Sequence, residues 1–237
     1  MLLRICITPF QILNTLQFST DSMRHIFFYF GGWGKLKPYE LFNHIWKTDY
    51  NKSGFDLDWK VEVDGTEKKV RLLFCPSNST KDWVVNIAGF IPVLRFPLFY
   101  CLGWKNVFDG CKALILEELI REINLHKDYT VEICGHSYGG AESIIAGIEL
   151  YKKTRIKADV ITFGSPMPLF FLYSKFLARF FLGSVTQYAH WSDCVTYCPP
   201  FLGYHNVKVK RLGKFNIKDL FNPGTYHMIY DEPKLYE

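Results

Sequence analysis

Gly135-His136-Ser137-Tyr138-Gly139, followed at once by Gly140, stands between an apolar run, Thr130-Val131-Glu132-Ile133-Cys134, and a second apolar stretch that begins near Ala141. A G-x-S-x-G segment alone recurs by chance. Flanked by a strand and a helix, it has the setting of a nucleophile elbow. The turn brings strand and helix so close that the positions two before and two after the serine have room for almost no side chain. Both are glycine here. Ser137 is then expected at the carboxyl end of the strand, with its hydroxyl facing a crevice and the next amide at a helix N-terminus.

A serine attacks a carbonyl only when a base can take its proton, and the base needs an acid to fix its tautomer. On an α/β sheet the chain order of such a set is serine, acid, histidine, so both partners belong after residue 137. Asp159 opens a strand and so falls at the wrong edge of a parallel sheet. Asp219 and Asp231 read as surface turns. Asp193 follows a strand end, in His190-Trp191-Ser192-Asp193-Cys194-Val195, and is well placed. His205 and His227 contend for the base; His227 lies in Gly224-Thr225-Tyr226-His227-Met228-Ile229-Tyr230, where the last partner is expected.

The surrounding pattern supplies the frame. Lys60-Val61-Glu62-Val63 and Lys69-Val70-Arg71-Leu72-Leu73-Phe74 alternate around Asp64-Gly65, a hairpin signal. Cys111, Leu114, Ile115, Leu119, Ile120 and Ile123 recur at helical spacing and predict a helix over about 107–124. The elbow strand and a helix over 141–153 follow. Next come a strand at 159–163 ending in Gly164-Ser165-Pro166, an aromatic helix over about 169–181 and a strand at 184–190. Strands alternating with helices predict an α/β fold with a mostly parallel central sheet and helices on both faces.

The 237 residues fit one domain, 1–237, and 49% hydrophobic residues supply a sizeable core. The net charge of +5 is spread along the chain, which gives nucleic-acid binding little support and leaves contact with an anionic lipid surface open. Seven cysteines make no C-x-x-C pair, and His190, Cys194, Cys198 and His205 match no common zinc spacing. Free thiols and the lack of a signal-peptide pattern predict a cytoplasmic protein, with leaderless export left open. The apolar stretch 87–104 carries Arg95, Pro92 and Pro97 and is expected to be buried or to line a crevice rather than to span a membrane. No function can be assigned to residues 1–56 from their pattern.

From about residue 70 to 230 the chain resembles the class 3 lipases, the fungal-type lipase branch of the α/β hydrolases. The likeness rests on motifs in order: Phe74-Cys75-Pro76-Ser77-Asn78-Ser79-Thr80-Lys81-Asp82-Trp83, the elbow, Thr162-Phe163-Gly164-Ser165-Pro166, Asp193-Cys194-Val195 with Pro199-Pro200, and His227-Met228-Ile229-Tyr230. It implies a serine carboxylester hydrolase cleaving lipid acyl esters without metal or cofactor, with Ser137, Asp193 and His227 as catalytic residues. It also implies an oxyanion hole from Ser77 and Tyr138, and a lid and substrate-binding segment carrying Trp83, Ile87 and Phe90. Cys75-Pro76 replaces the family's usual Arg-Gly, which removes glycine freedom before Ser77. An acyltransferase, a non-lipid esterase, or an inactive lipid-binding or scaffolding protein would use the same frame.

Overall fold

The computed structural model describes residues 36–52, 57–76, 91–200, 202–214 and 223–237. Its central sheet has the order β1-β2-β5-β6-β8-β10, formed by Trp59–Asp64, Lys69–Phe74, Thr130–His136, Asp159–Phe163, Val185–His190 and Val209–Leu212. Only β1 runs antiparallel, joined to β2 by the Asp64-Gly65 turn. The other neighbours are parallel, and their register sets Phe74 beside Gly135, His136 beside Phe163 and Phe163 beside Tyr188. The carboxyl ends of β2, β5, β6 and β8 therefore share one edge, and every chain segment leaving that edge can carry a site residue.

Side-chain alternation decides what covers each face. Val70, Leu72 and Phe74 of β2, with Val131 and Ile133 of β5, face one apolar cluster. That face is covered by α2 (Leu102–Leu125) and α3 (Tyr138–Thr154), with α4 (Leu172–Phe181) beside them. Phe108, Cys111, Ile115 and Leu119 form the buried stripe of α2, four positions at helical spacing. Leu73, Cys134 and Phe163 point the other way, onto α1 (Pro38–Lys47), whose Leu41, Phe42 and Ile45 are buried against them. The strands are thus apolar on both faces, as a covered parallel sheet requires.

The expected strands and helices are present, with four differences of extent. Helix α2 starts at Leu102 rather than near 107, and α3 starts at Tyr138 rather than 141. The described part of 87–104 is a hairpin of β3 (Pro92–Arg95) and β4 (Leu98–Cys101). It buries Leu98, Tyr100 and Cys101 on β4, which lies inside a small sheet, but leaves Ile91, Leu94 and Phe96 exposed on and around β3, the edge strand. The stretch read as a helix from 169 begins instead with the short strand β7 (Leu169–Phe170). Phe171, at φ 65°, then breaks the chain direction before α4. A small antiparallel sheet, β3-β4-β7-β9, with β9 at Tyr204–His205, forms from these pieces. No helix among the described residues is long and apolar enough to cross a membrane.

On the same face of the sheet as α1, Arg71 is buried among carboxylates. Its guanidinium donates to Glu132 Oε1 at 2.8 Å, Asp64 Oδ2 at 2.7 Å and Glu67 Oε2 at 2.7 Å. Lys69 adds bonds to Glu132 and Glu67. Burial alone would raise the Asp64 and Glu67 carboxyls. Hydrogen bonds from backbone amides and the neighbouring cations outweigh it, and both are held below the usual carboxylate range. A depressed carboxyl stabilises the fold above its unfolded value and loses that contribution as the pH falls through the folded value. Arg71→Met should therefore destabilise the protein by about 3–5 kcal/mol near neutral pH, because it leaves buried carboxylates short of a partner. Urea unfolding should show this deficit shrinking as the pH falls and carboxylates left without the Arg71 partner become protonated.

Candidate active site

Ser137 sits at the junction of β5 and α3 with φ 56° and ψ −126°, a backbone region costly for any residue with a side chain, by about 1–3 kcal/mol. What holds it there is close packing. A Cβ on Gly135 would lie 2.2 Å from the Gly139 carbonyl oxygen, and one on Gly139 would lie 2.9 Å from the carbonyl oxygens of Phe74 and Cys75. The two glycines let helix, elbow and the end of β2 approach to a distance no side chain would allow. Ser137 N also donates to Phe163 O at 2.9 Å, which ties the elbow to the end of β6. Tyr138 heads α3 directly after Ser137.

Asp193 is wholly buried after β8. Its backbone opens a 3-10 turn over Cys194–Tyr197, and its Oδ1 accepts from Val195 N at 3.0 Å. His227, the last residue of the short helix α5 (Pro223–His227), puts Nδ1 3.1 Å from Oδ1 and 3.0 Å from Oδ2 of Asp193. Tyr230, one turn further on, donates its hydroxyl to Asp193 Oδ2 at 2.5 Å and accepts from His190 N at 3.0 Å. Burial first, and then the adjacent Asp193 charge, push the Tyr230 phenol far above its ordinary range, so it stays a donor. Asp193 therefore has three donors around it. With an ionised Asp193 the Nδ1 of His227 carries the proton, which leaves Nε2 as the basic nitrogen.

Two further residues fix this pair relative to the elbow. His136, buried beside Ser137, donates Nε2–H to the carbonyl oxygen of His227 at 2.8 Å, and the two rings lie 4.5 Å apart. Burial, and next the His227 charge, hold His136 well below its usual value, so it is neutral and its donor is constant. Gly164, at φ 56° after β6, passes so close that a Cβ there would lie 2.9 Å from both Asp193 Oδ2 and His227 Cε1. Its predecessor Phe163 is the residue bonded to Ser137 N. Ser137, Asp193 and His227 thus gather around one peptide at the end of β6.

The structure brings Asp193 and His227 together beside the elbow and does not bring His205 there. His205 pairs with Leu169 in the small sheet. Asp159 caps Ser184 N at the opposite edge, and Asp231 is exposed. Ser77, Trp83, Ile87 and Phe90, the expected oxyanion, lid and substrate residues, lie outside the described residues, as does Asp219. His136, Gly164 and Tyr230 have positioning contacts that sequence reasoning did not assign. For Tyr230 the signal was present, since it lies three residues after His227 in a helical segment and so returns to the same side. The unassigned region 1–56 gains a part here: Phe42 and Trp46 of α1 pack on the His136 ring at 5.2 and 5.5 Å. Among the described residues no group of three His, Cys, Asp or Glu side chains could hold a metal ion.

A mostly parallel sheet with a strained serine elbow after a central strand, and an acid and a histidine in later loops, is the α/β-hydrolase fold. The model of the family described as Lipase (class 3) matches residues 72–203, more than half of the sequence, and the chain belongs to that family. It is 24% identical over 102 residues to a lipase of Rhizomucor miehei, covering 42% of this chain and 28% of that one. It is 26% identical over 154 residues to the secreted mono- and diacylglycerol lipase A of Penicillium cyclopium, covering 62% of this chain and 48% of that one. The chain thus spans less than half the length of these curated relatives. Its backbone superposes with a TM-score of 0.61, at 20% identity, on a triacylglycerol lipase whose catalytic centre is a serine protease triad, covering 68% of this chain and 64% of that one.

Gly164→Ala should retain the fold but lower kcat for a soluble ester by at least about 10²-fold, since a Cβ there displaces Asp193 and His227 together. Tyr230→Phe removes one charge-assisted hydrogen bond, worth about 1.5–3 kcal/mol, from a carboxylate that keeps its other donors. It should lower kcat by roughly tenfold with little change in KM, as steady-state kinetics on the purified variants would show.

Proposed function

We propose that this chain is a serine carboxylester hydrolase of lipid acyl esters, of the lipase or phospholipase A type. The observation that carries the reading is the buried Asp193, bonded at once to His227 Nδ1 and Tyr230 and set against the same peptide that fixes the Ser137 backbone. In this reading Ser137 Oγ attacks the ester carbonyl while His227 Nε2 takes its proton. Asp193 stabilises the imidazolium that forms, and does not itself become protonated. The oxyanion is met by the Tyr138 amide at the head of α3, with the residue 77 region as the second donor; each such donor is worth roughly 2.7–4 kcal/mol. His227 then returns its proton to the leaving alcohol, and water, activated by the same base, releases the fatty acid from the acyl-enzyme. Family membership and the name of the Penicillium relative support an acylglycerol or related lipid as substrate.

The test is hydrolysis of esters graded in acyl length by wild type, Ser137→Ala and Asp193→Asn. The alanine variant should lose at least about 10⁴-fold in kcat. The asparagine variant should fold but lose activity to a similar degree, because it holds the histidine in the wrong tautomer. Turnover of lipid acyl esters that depends on Ser137 supports the reading. Activity that survives Ser137→Ala, or that appears only on non-lipid esters, overturns it.

A further inference from the structure

Helix α4 is packed against its neighbours along one face, and among the described residues its opposite face is exposed and largely apolar. Leu177, Ala178 and Phe181 turn toward the core, and Ser174, fully buried, accepts from Phe99 N at 3.0 Å. The inward face is therefore complete. The outward face presents Leu172, Tyr173, Phe176 and Phe180, at helical spacing and 51, 57, 51 and 68% exposed. Beyond the packed face, a surface helix ordinarily presents polar residues to water, and here four of the outward positions are apolar. Phe171, just before it, is also exposed and is held in the left-handed region at φ 65°. Solvated singly, such residues would need no account; four at one spacing on one helix do.

The charged side chains of α4 have one sign. They are Lys175 and Arg179, the Arg179 guanidinium sits 5.7 Å over the Phe176 ring, and no carboxylate occurs in sequence between Asp159 and Asp193. Aromatic rings interleaved with long basic side chains match the headgroup boundary of a bilayer, where rings enter the acyl region and cations meet anionic phosphates. The direction of α4 adds to this. It starts after the loop leaving the carboxyl end of β6 and ends where Gly183 N bonds Ala158 O, at the other edge of the sheet. Leu172 and Tyr173 therefore lie toward the edge that bears Ser137.

We propose that the outward face of α4 is a docking surface for a bilayer containing anionic lipids. Docking itself is independent of the hydrolytic reading; only its use, bringing membrane lipid to the Ser137 edge, rests on that reading. The test uses Ser137→Ala protein, so that binding is not confounded by hydrolysis, and co-sedimentation with phosphatidylcholine vesicles with and without phosphatidylserine. Binding should be strong only with phosphatidylserine and should weaken with salt. Adding Phe176→Ser and Phe180→Ser should reduce the partition coefficient by about 10²-fold. Lys175→Gln alone should reduce it by about fivefold, and only on the anionic vesicles. The same serine pair in the otherwise wild-type chain should leave the melting temperature and the turnover of a soluble short-chain ester unchanged. Binding indifferent to the serine pair, or equal on both vesicle types, overturns the proposal. So does a stable dimer in sedimentation analysis that the serine pair dissociates, since the face would then belong to a second copy. Vesicle binding without Ser137-dependent turnover would sink the hydrolytic reading alone; turnover without vesicle binding would sink this one alone.

Discussion

A fully buried carboxylate is the constraint around which this molecule is arranged. An isolated charge at the Asp193 position would cost several kcal/mol, so the fold must bring donors to it. It does so from three directions: the Val195 amide from its own turn, His227 from α5, and Tyr230 from the residues that follow. The C-terminal segment is held to the sheet by the same bonds that orient the histidine. Stability and site geometry therefore share one interaction, and a change that loosens one loosens the other.

The second layer of the arrangement secures those donors. Tyr230 is buried against Phe42 and Phe163, which places α1 behind the site even though α1 contributes no reacting group. His136 reaches from β5 to the carbonyl of His227, so the residue next to Ser137 also positions that histidine. Gly164 leaves the space in which Asp193 and His227 meet. The strain at Ser137 is tolerable because glycines at 135 and 139 permit packing too close for the turn to relax.

Much of this was legible in the sequence, for identifiable reasons. The β1–β2 hairpin and strands β5, β6 and β8 follow from alternation and apolar runs bounded by turn residues, and the α2 stripe follows from 3.6-residue periodicity. Chain order along an α/β sheet allowed either His205 or His227, and it is a contact across 34 residues that sets His227 beside Asp193. What the sequence hid is mostly tertiary. The hairpin at 92–101 was obscured because its apolar residues are nearly continuous, and only the sheet decides that β4 is an inner strand and β3 an edge. Helix α4 was legible as a helix, but its Ser174 and Ala178 gave no sign that they, and not Phe176 and Phe180, would face inward. The contacts of His136 and Gly164 span more than twenty residues of sequence and have no local signature.

The central claim is that Asp193 and His227 make Ser137, and no other serine, nucleophilic. It is tested most directly by mapping the adduct of a fluorophosphonate probe by peptide mass spectrometry in wild type and in His227→Ala. The account predicts one modified peptide in wild type, with the adduct on Ser137, and its near-complete loss in the variant. An adduct on another serine such as Ser165, or Ser137 labelling that survives without His227, would contradict it.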